Sequence, residues 1–411
     1  MSLNQTPNGE RPHIALLGRR NAGKSSLINA ITGQELAIVS DIPGTTTDPV
    51  YKAMELLPLG PVMFVDTPGL DDEGTLGEER IRRAKKVLNK TDLALIVVDA
   101  SQAAMDFSFE EAILELTQKK GIPAIVVLNK LDLQPDPENL SIPNRDPNGN
   151  SLEEICVSAR SGYHIHELKE MIAGKLPQGN TDKRLVGDLL SPGDFVILVI
   201  PIDSAAPKGR LILPQQQVIR DILESGATAV ACRDTELSDT LSRIGQTPRL
   251  VITDSQAFAS VSADTPENIP LTSFSILFSR YKGDLKTQLE GVHALDSLSD
   301  GDTILMAEGC THHRQCDDIG TVKLPRWIRE YTGKELHFET SSGGSFPEDL
   351  RKYKMVVHCG GCTLNPKEMA SRIAQAKDQR VPIVNYGTLI AAINGILKRS
   401  IAPLPGYCDL L

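Results

Sequence analysis

Short runs of apolar residues alternate with amphipathic stretches along the first part of the chain. This alternation predicts an α/β fold with a parallel sheet, because each buried strand is followed by a helix that covers it. The predicted strands are 13–17, 53–58, 62–66, 93–99, 124–129 and 155–158, and the predicted helices are 25–32, 77–90, 109–119 and 165–175.

Two further α/β patterns follow a polar segment that contains Pro and Gly at 177–182 and is predicted to be a linker. The first pattern has strands at 195–201, 227–231 and 249–253 and helices at 214–225 and 237–244. The second has helices at 272–282, 324–331, 366–376 and 388–398 and strands at 303–307, 336–339, 355–357 and 382–385. We therefore predict three domains, 1–178, 184–268 and 269–411, and the middle one is predicted to be a dimerisation or interaction module.

Composition restricts the possible functions. A chain of 411 residues with a net charge of −10 is large enough for two to four domains and is not a general binder of nucleic acid or anionic membranes. Its longest apolar runs have the length of strands, so no membrane span is expected. The seven cysteines are an odd number and the N-terminus is polar, which predicts a reducing, cytoplasmic protein whose clustered cysteines bind metal or carry out redox chemistry.

A phosphate-binding loop is predicted at 18–25, where Gly-Arg-Arg-Asn-Ala-Gly-Lys-Ser matches the pattern G-x-x-x-x-G-K-S. Glycines allow the backbone amides to surround the phosphates, and the helix that follows directs its positive end at them. Lys24 is predicted to contact the β- and γ-phosphates and Ser25 to bind Mg²⁺. The predicted loop residues are Gly18, Asn21, Ala22, Gly23, Lys24, Ser25 and Ser26.

Further boxes follow in the order expected for a GTPase. Asp66 ends an apolar strand and is predicted to support Mg²⁺, while Gly69 is predicted to sense the γ-phosphate. Thr46, in the segment Pro-Gly-Thr-Thr-Thr-Asp at 43–48, is the first choice for the switch residue that meets Mg²⁺.

The base pocket is predicted from two boxes that follow apolar strands. Asn129, Lys130 and Asp132 form the pattern N-K-x-D, and Asp132 can accept two hydrogen bonds from guanine that adenine cannot offer. Ser158 and Ala159 close the pocket. The nucleotide is therefore predicted to be GTP.

The set of boxes resembles the bacterial GTPases related to Era and the tRNA-modifying MnmE. In that subgroup an Asn at the position of Asn21 helps to bind an activating K⁺ ion, and a hydrophobic residue, here Leu70, replaces the glutamine that orients water in Ras-like enzymes. The resemblance implies slow GTP hydrolysis that K⁺ stimulates.

A metal site is predicted near the C-terminus. Cys310-x-His312 is followed after 45 residues by His358-Cys359-x-x-Cys362. Cys310 and Cys359 each follow a predicted parallel strand, so they are expected to meet at one edge of a sheet. The helix that begins near residue 366 is expected to favour the thiolate of Cys362. From the spacing alone, both a zinc site and a 4Fe–4S cluster fit.

The GTPase boxes together with this C-terminal motif resemble the FeFe-hydrogenase maturation GTPases, the HydF family, over essentially the whole chain. The resemblance implies a 4Fe–4S cluster on Cys310, Cys359 and Cys362, whose fourth position is exchangeable, with His312 or His358 as a possible ligand. It also implies a homodimeric scaffold that receives a di-iron precursor made with radical-SAM enzymes and delivers it to apo FeFe-hydrogenase. The alternative is an Era-like RNA-binding or ribosome-assembly GTPase with a structural zinc site.

Overall fold

A computed structural model of the protein describes residues 6–33, 49–57, 59–67, 77–101, 107–134, 153–176, 183–202, 211–309 and 318–407. The chain divides into two compact units, Met1–Asn180 and Thr181–Leu411. The predicted switch residues Thr46 and Gly69, together with Cys310 and His312, lie outside the described residues.

The first unit is a six-stranded sheet with helices on both faces. Its elements are β1 (His13–Leu17), α1 (Lys24–Thr32), β2 (Val50–Leu56), β3 (Gly60–Asp66), α2 (Gly77–Leu88), β4 (Leu93–Asp99), α3 (Ser108–Lys119), β5 (Ala124–Asn129), β6 (Glu154–Cys156) and α4 (Ile165–Lys175). The strand order is β2-β3-β1-β4-β5-β6. This agrees with the predicted α/β fold.

Successive residues of the central strand β1 belong to two different apolar cores. Ile14 and Leu16 are buried in one core, whereas Ala15 and Leu17 are buried in the other. A strand that is covered on both faces has a continuous apolar sequence, which explains why β1 and β4 could be predicted with correct bounds.

One pairing departs from the predicted parallel sheet. Strand β2 pairs with β3 in the antiparallel direction, while all other pairs in this sheet are parallel. Only residues 57–59 separate the two strands, and a parallel crossover needs a connection of a dozen residues or more. The short connection therefore requires the antiparallel arrangement.

The second unit contains two four-stranded parallel sheets. The first sheet is built from β7 (Phe195–Val199), α5 (Leu213–Glu224), β8 (Thr228–Cys232), α6 (Leu237–Ile244), β9 (Leu250–Thr253), α7 (Phe258–Asp264) and β10 (Leu271–Ser273), in the order β10-β9-β7-β8. The helix predicted at 272–282 begins only at Phe274, because β10 joins this middle sheet. The predicted domain boundary at 268/269 therefore precedes the last strand of the middle sheet.

The second sheet carries the C-terminal motif. Its elements are α8 (Phe274–Lys282), α9 (Leu285–Glu290), β11 (Thr303–Glu308), α10 (Leu324–Thr332), β12 (His337–Ser342), β13 (Met355–His358), α11 (Pro366–Asp378), β14 (Ile383–Asn385), α12 (Tyr386–Ile393) and α13 (Leu397–Ile401), with strand order β12-β11-β13-β14. One apolar core contains residues of both sheets, including Ile197 of β7 and Ile304 of β11. No helix among the described residues is long and apolar enough to cross a membrane.

Candidate functional sites

The phosphate loop connects β1 to α1 and has no room for larger side chains at its two glycines. A Cβ atom on Gly18 would lie 2.2 Å from the carbonyl oxygen of Val97, and one on Gly23 would lie 2.2 Å from Nδ2 of Asn129. Gly23 also has a φ of +86°, which disfavours other residues. The pattern of glycines in the sequence therefore has a direct steric reason.

Two side chains expected to contact phosphate and Mg²⁺ lie at the start of α1. The ammonium of Lys24 donates hydrogen bonds to the carbonyl oxygens of Gly18 and Arg19, each at 2.8 Å. The hydroxyl of Ser25 donates to Oδ2 of Asp66 at 2.7 Å. The predicted Mg²⁺ residues on α1 and at the end of β3 are therefore adjacent, although their binding roles stay predictions.

Asn129 connects the phosphate loop to the predicted base pocket. Its amide Nδ2 donates to the carbonyl oxygen of Ala22 at 3.0 Å, and its Oδ1 accepts from the backbone amide of Ala159 at 3.0 Å. In the same pocket, the hydroxyl of Ser158 donates to Asp132 at 2.6 Å. The described boxes of the predicted GTP site thus lie side by side at one edge of the sheet.

The structure describes two other residues of the predicted phosphate loop, Asn21 and Ser26. Asn21, expected to help bind K⁺, has a left-handed backbone with φ of +61°. Ser26 is exposed at the start of α1. Their roles remain predictions.

Sequence reasoning missed two carboxylates near the nucleotide site. Asp99, at the end of β4, pairs with Lys130 at 2.6 Å, and the carboxylate of Glu110, 5 % exposed on α3, pairs with Arg19 at 3.2 Å. Burial acts to raise the pKa of Asp99, but its hydrogen bonds with Lys130 and Ser101 outweigh burial and lower that pKa. The position of Asp99 at a strand end was the one signal that could have identified it.

The cysteine loop, Cys359 to Cys362, follows β13 and is held against the end of β11. Sγ of Cys359 accepts hydrogen bonds from the backbone amides of Gly309 at 3.1 Å and Gly361 at 3.4 Å. The hydroxyl of Thr363 donates to the carbonyl oxygen of Gly309 at 3.0 Å. Amide hydrogen bonds to sulfur stabilise a thiolate and tune iron–sulfur clusters, so the surroundings of Cys359 fit a cluster ligand.

Two glycines pack this loop closely against its neighbours. A Cβ atom on Gly309 would lie 2.8 Å from Cγ of Leu364, and one on Gly361 would lie 2.6 Å from Cε of Met369. Gly309, the residue before Cys310 in the sequence, therefore lies directly beside the loop. Among the described residues alone, no group of three His, Cys, Asp or Glu side chains could hold a metal ion.

His358, predicted as a possible ligand, has hydrogen-bond partners at both ring nitrogens, and its ligand role stays a prediction. Its ring is fully buried, with Nδ1 at 2.7 Å from the carbonyl oxygen of Cys359 and Nε2 at 3.1 Å from Nη1 of Arg372. Burial, together with the charge of Arg372, lowers the pKa of His358 to about 3. In this arrangement the neutral ring supports the loop, and Nε2 would have to give up its contact with Arg372 to bind iron.

The expected effect of the following helix on the Cys362 thiolate stays a prediction, because burial is the larger influence on this thiol. Burial raises the pKa of the Cys362 thiol, although the charge of Lys282 opposes this rise. The N-terminus of α11 is capped by Asn365, whose side chain accepts from the backbone amide of Glu368 at 2.9 Å. The side-chain cap satisfies an amide that would otherwise be directed toward an anion.

Comparison with protein families decides between the two interpretations of the sequence. Residues 185–283 match the hydrogen maturase F dimerization domain, residues 286–403 match the hydrogen maturase F tetramerization domain, and residues 13–130 match a 50S ribosome-binding GTPase domain. The chain belongs to the hydrogen maturase F family, HydF. The HydF domains confirm the predicted family and disfavour the alternative of an Era-like protein with a zinc-binding tail.

Curated relatives agree with the GTPase assignment. The chain is 39 % identical to the GTPase Der of Wolinella succinogenes over 39 % of this chain and 34 % of Der. It is 34 % identical to the GTPase Era of Heliobacterium modesticaldum over 40 % of this chain and 55 % of Era. It is 36 % identical to the tRNA modification GTPase MnmE of Desulfotalea psychrophila over 39 % of this chain and 33 % of MnmE. Each match therefore spans about a third to a half of the relative's length.

Proposed function

We propose that this HydF protein is a slow, K⁺-stimulated GTPase that holds a 4Fe–4S cluster on Cys310, Cys359 and Cys362. In this proposal it receives a di-iron precursor and delivers it to apo FeFe-hydrogenase. The observation that carries the proposal is the pair of amide hydrogen bonds to Sγ of Cys359, one of them from the residue before Cys310. Together with the two HydF domains, this contact supports a three-cysteine site.

The donor set suits an iron–sulfur cluster. Cys359 and Cys362 both carry sulfur donors, and thiolates are the usual ligands of such clusters. Three protein thiolates would leave one iron free to bind an exchangeable group, which is the chemistry a carrier of a metal precursor requires. His358 is not proposed as the fourth ligand, since both of its nitrogens have hydrogen-bond partners.

The nucleotide half of the proposal follows from the groups around the phosphate loop. Lys24 would exchange its carbonyl partners for phosphate oxygens, and Ser25 and Asp66 would hold Mg²⁺. Thr46 and Gly69 are proposed to respond to the γ-phosphate. Bound Mg²⁺ would neutralise the charge that develops during phosphoryl transfer.

We propose that the assembly is a homodimer or a larger oligomer, which the dimerization and tetramerization domains support. The proposed partners are apo FeFe-hydrogenase and the radical-SAM enzymes that make the precursor. The GTP state would control partner binding or release and would not take part in forming bonds to iron.

The coupling between the bound nucleotide and the di-iron precursor can be tested by measuring transfer of the precursor to apo FeFe-hydrogenase. Protein loaded with precursor is prepared with GTP or with GDP, and its affinity for each partner and the rate of hydrogenase activation are measured. The proposal expects the two nucleotide states to differ and expects Lys24→Ala to remove the difference. Equal affinities and equal transfer rates in both states would contradict a nucleotide-controlled carrier.

A further inference from the structure

The carbonyl oxygens of both loop cysteines accept hydrogen bonds from buried basic side chains. Nδ1 of His358 lies 2.7 Å from the carbonyl oxygen of Cys359, and Nζ of Lys282 lies 3.0 Å from that of Cys362. Neither contact involves a sulfur atom. These contacts therefore hold the backbone on each side of the loop through its carbonyl groups.

Arg372 fixes the support at Cys359. Its guanidinium donates to Nε2 of His358, so Nε2 must be the acceptor and Nδ1 must carry the proton that is donated to Cys359. Arg372 is only 4 % exposed and pairs with Glu368 at 2.7 Å. Its guanidinium also lies 5.0 Å from the ring of Phe346. The imidazole is thus held in one tautomer and one orientation.

Lys282 fixes the other end of the loop. It is the last residue of α8, is 3 % exposed, and donates to the carbonyl oxygens of Cys362 and Leu364 at 3.0 and 2.9 Å. Its ammonium lies 5.6 Å from the ring of Phe278. The chain after Cys362 is therefore folded around a buried positive charge.

A cluster bound by thiolates carries negative charge, and its reduction potential depends on net charge and on hydrogen bonds nearby. The charge of Lys282 is directly beside Cys362, so it would stabilise the more negative, reduced cluster. Groups of this kind around a metal typically change its affinity by about 10–100-fold.

We infer that Lys282 and Arg372 are positioning residues for the cluster, because they hold the backbone of the cysteine loop. Lys282 also raises the reduction potential of the cluster through its charge. This inference rests on the proposed function, since it concerns the same cysteines. Arg372 acts through His358, whereas Lys282 acts both through its hydrogen bonds and through its charge.

The test compares Lys282→Met, Lys282→Gln and Arg372→Met with the wild type after anaerobic reconstitution with iron and sulfide. Iron content, the rate of iron loss to a chelator and the midpoint potential of the cluster are measured for each. Lys286→Met and Lys377→Met are matched controls, because each removes one positive charge from an exposed side chain on a neighbouring helix. Thermal unfolding of the metal-free proteins identifies any variant that does not fold.

Lys282→Met is expected to lose iron about 10–100-fold faster and to have a more negative potential. Lys282→Gln can still donate a hydrogen bond but lacks the charge, so its potential should fall while its iron loss stays close to wild type. Arg372→Met should lose iron faster with a smaller change in potential. The controls should match the wild type in both measurements.

Two results would overturn the inference while leaving the proposed function intact. In the first, the Lys282 and Arg372 variants retain wild-type iron loss and potential. In the second, Lys286→Met shifts the potential as much as Lys282→Met, which would indicate a general charge effect. A wild-type protein that forms no cluster would contradict both the inference and the proposed function.

Discussion

The backbone amide of Gly309 donates a hydrogen bond to Sγ of Cys359 at 3.1 Å, although 50 positions separate the two residues in sequence. The contact is possible because β11 and β13 are parallel neighbours whose carboxyl ends meet at one edge of the sheet. It places the residue before Cys310 against the cysteine loop. The arrangement of the strands therefore agrees with the proposed three-cysteine site.

Gly309→Ala should impair the cluster while leaving nucleotide binding unchanged. The new Cβ would lie 2.8 Å from Leu364 and 3.3 Å from Gly361, so the end of β11 must move away from the loop. We expect iron content after reconstitution to fall to less than about half, in line with overpacking costs of about 1–3 kcal/mol. Gly174→Ala, at an open helical position, is the control. Full iron content in Gly309→Ala would show that this contact is not needed.

The structure predicts that His358 contributes no nitrogen ligand. Pulsed EPR of the reduced cluster should show the same ¹⁴N couplings in the wild type and in His358→Asn, even if the variant loses iron faster. His337→Asn, an exposed histidine on β12, serves as the comparison. A strong ¹⁴N coupling that disappears only in His358→Asn would establish direct coordination and contradict the support role.

Asp132→Asn should change the base that the pocket prefers. The carboxylate can accept two hydrogen bonds from guanine, and each charged hydrogen bond contributes about 1.5–3 kcal/mol, so GTP affinity should fall at least about a hundredfold. An asparagine amide can instead donate to the second carbonyl of xanthine. Binding of xanthosine triphosphate should therefore improve, which also shows that the variant is folded. Unchanged GTP affinity would place the base elsewhere.

Acid should weaken the contact between Asp99 and Lys130. The folded pKa of Asp99 is lowered, so its ion pair stabilises the folded state above the unfolded pKa of about 4 and is lost as the pH falls through the folded pKa. Asp99→Asn should lower stability by about 1 kcal/mol near neutral pH, and the difference should disappear as the pH falls through the lowered, folded pKa of Asp99. Thermal unfolding of wild type, Asp99→Asn and Lys130→Met across this range tests the effect. A difference that persists in acid would assign it to packing.

Strand prediction went furthest where the strands are buried on both faces. The bounds of β1, β4 and β5 agree with the prediction, and the position of Cys359 after β13 follows from the same pattern. The short strand β10 was missed, because two of its three residues, Thr272 and Ser273, were assigned to the beginning of the helix that follows them. A buried strand of only three residues is too short for its pattern of apolar and polar positions to distinguish a strand from a helix.

The roles of individual side chains were harder to predict than their positions. A histidine next to a cysteine has the same sequence whether it binds metal or supports the backbone. The contact that favours a supporting role for His358 comes from Arg372, which lies 14 residues further along the chain, on α11. Lys282 is likewise indistinguishable in sequence from an exposed lysine at a helix end, yet it is buried beside Cys362.

Metal analysis with EPR after anaerobic reconstitution tests the central claim most directly. The account predicts about four irons per chain and a signal from the reduced cluster. Both should be lost in Cys310→Ser and Cys359→Ser and retained in Lys24→Ala and in Cys232→Ser, a free cysteine of β8. Stoichiometric zinc with no cluster signal in the wild type would contradict the scaffold and make the C-terminal site structural.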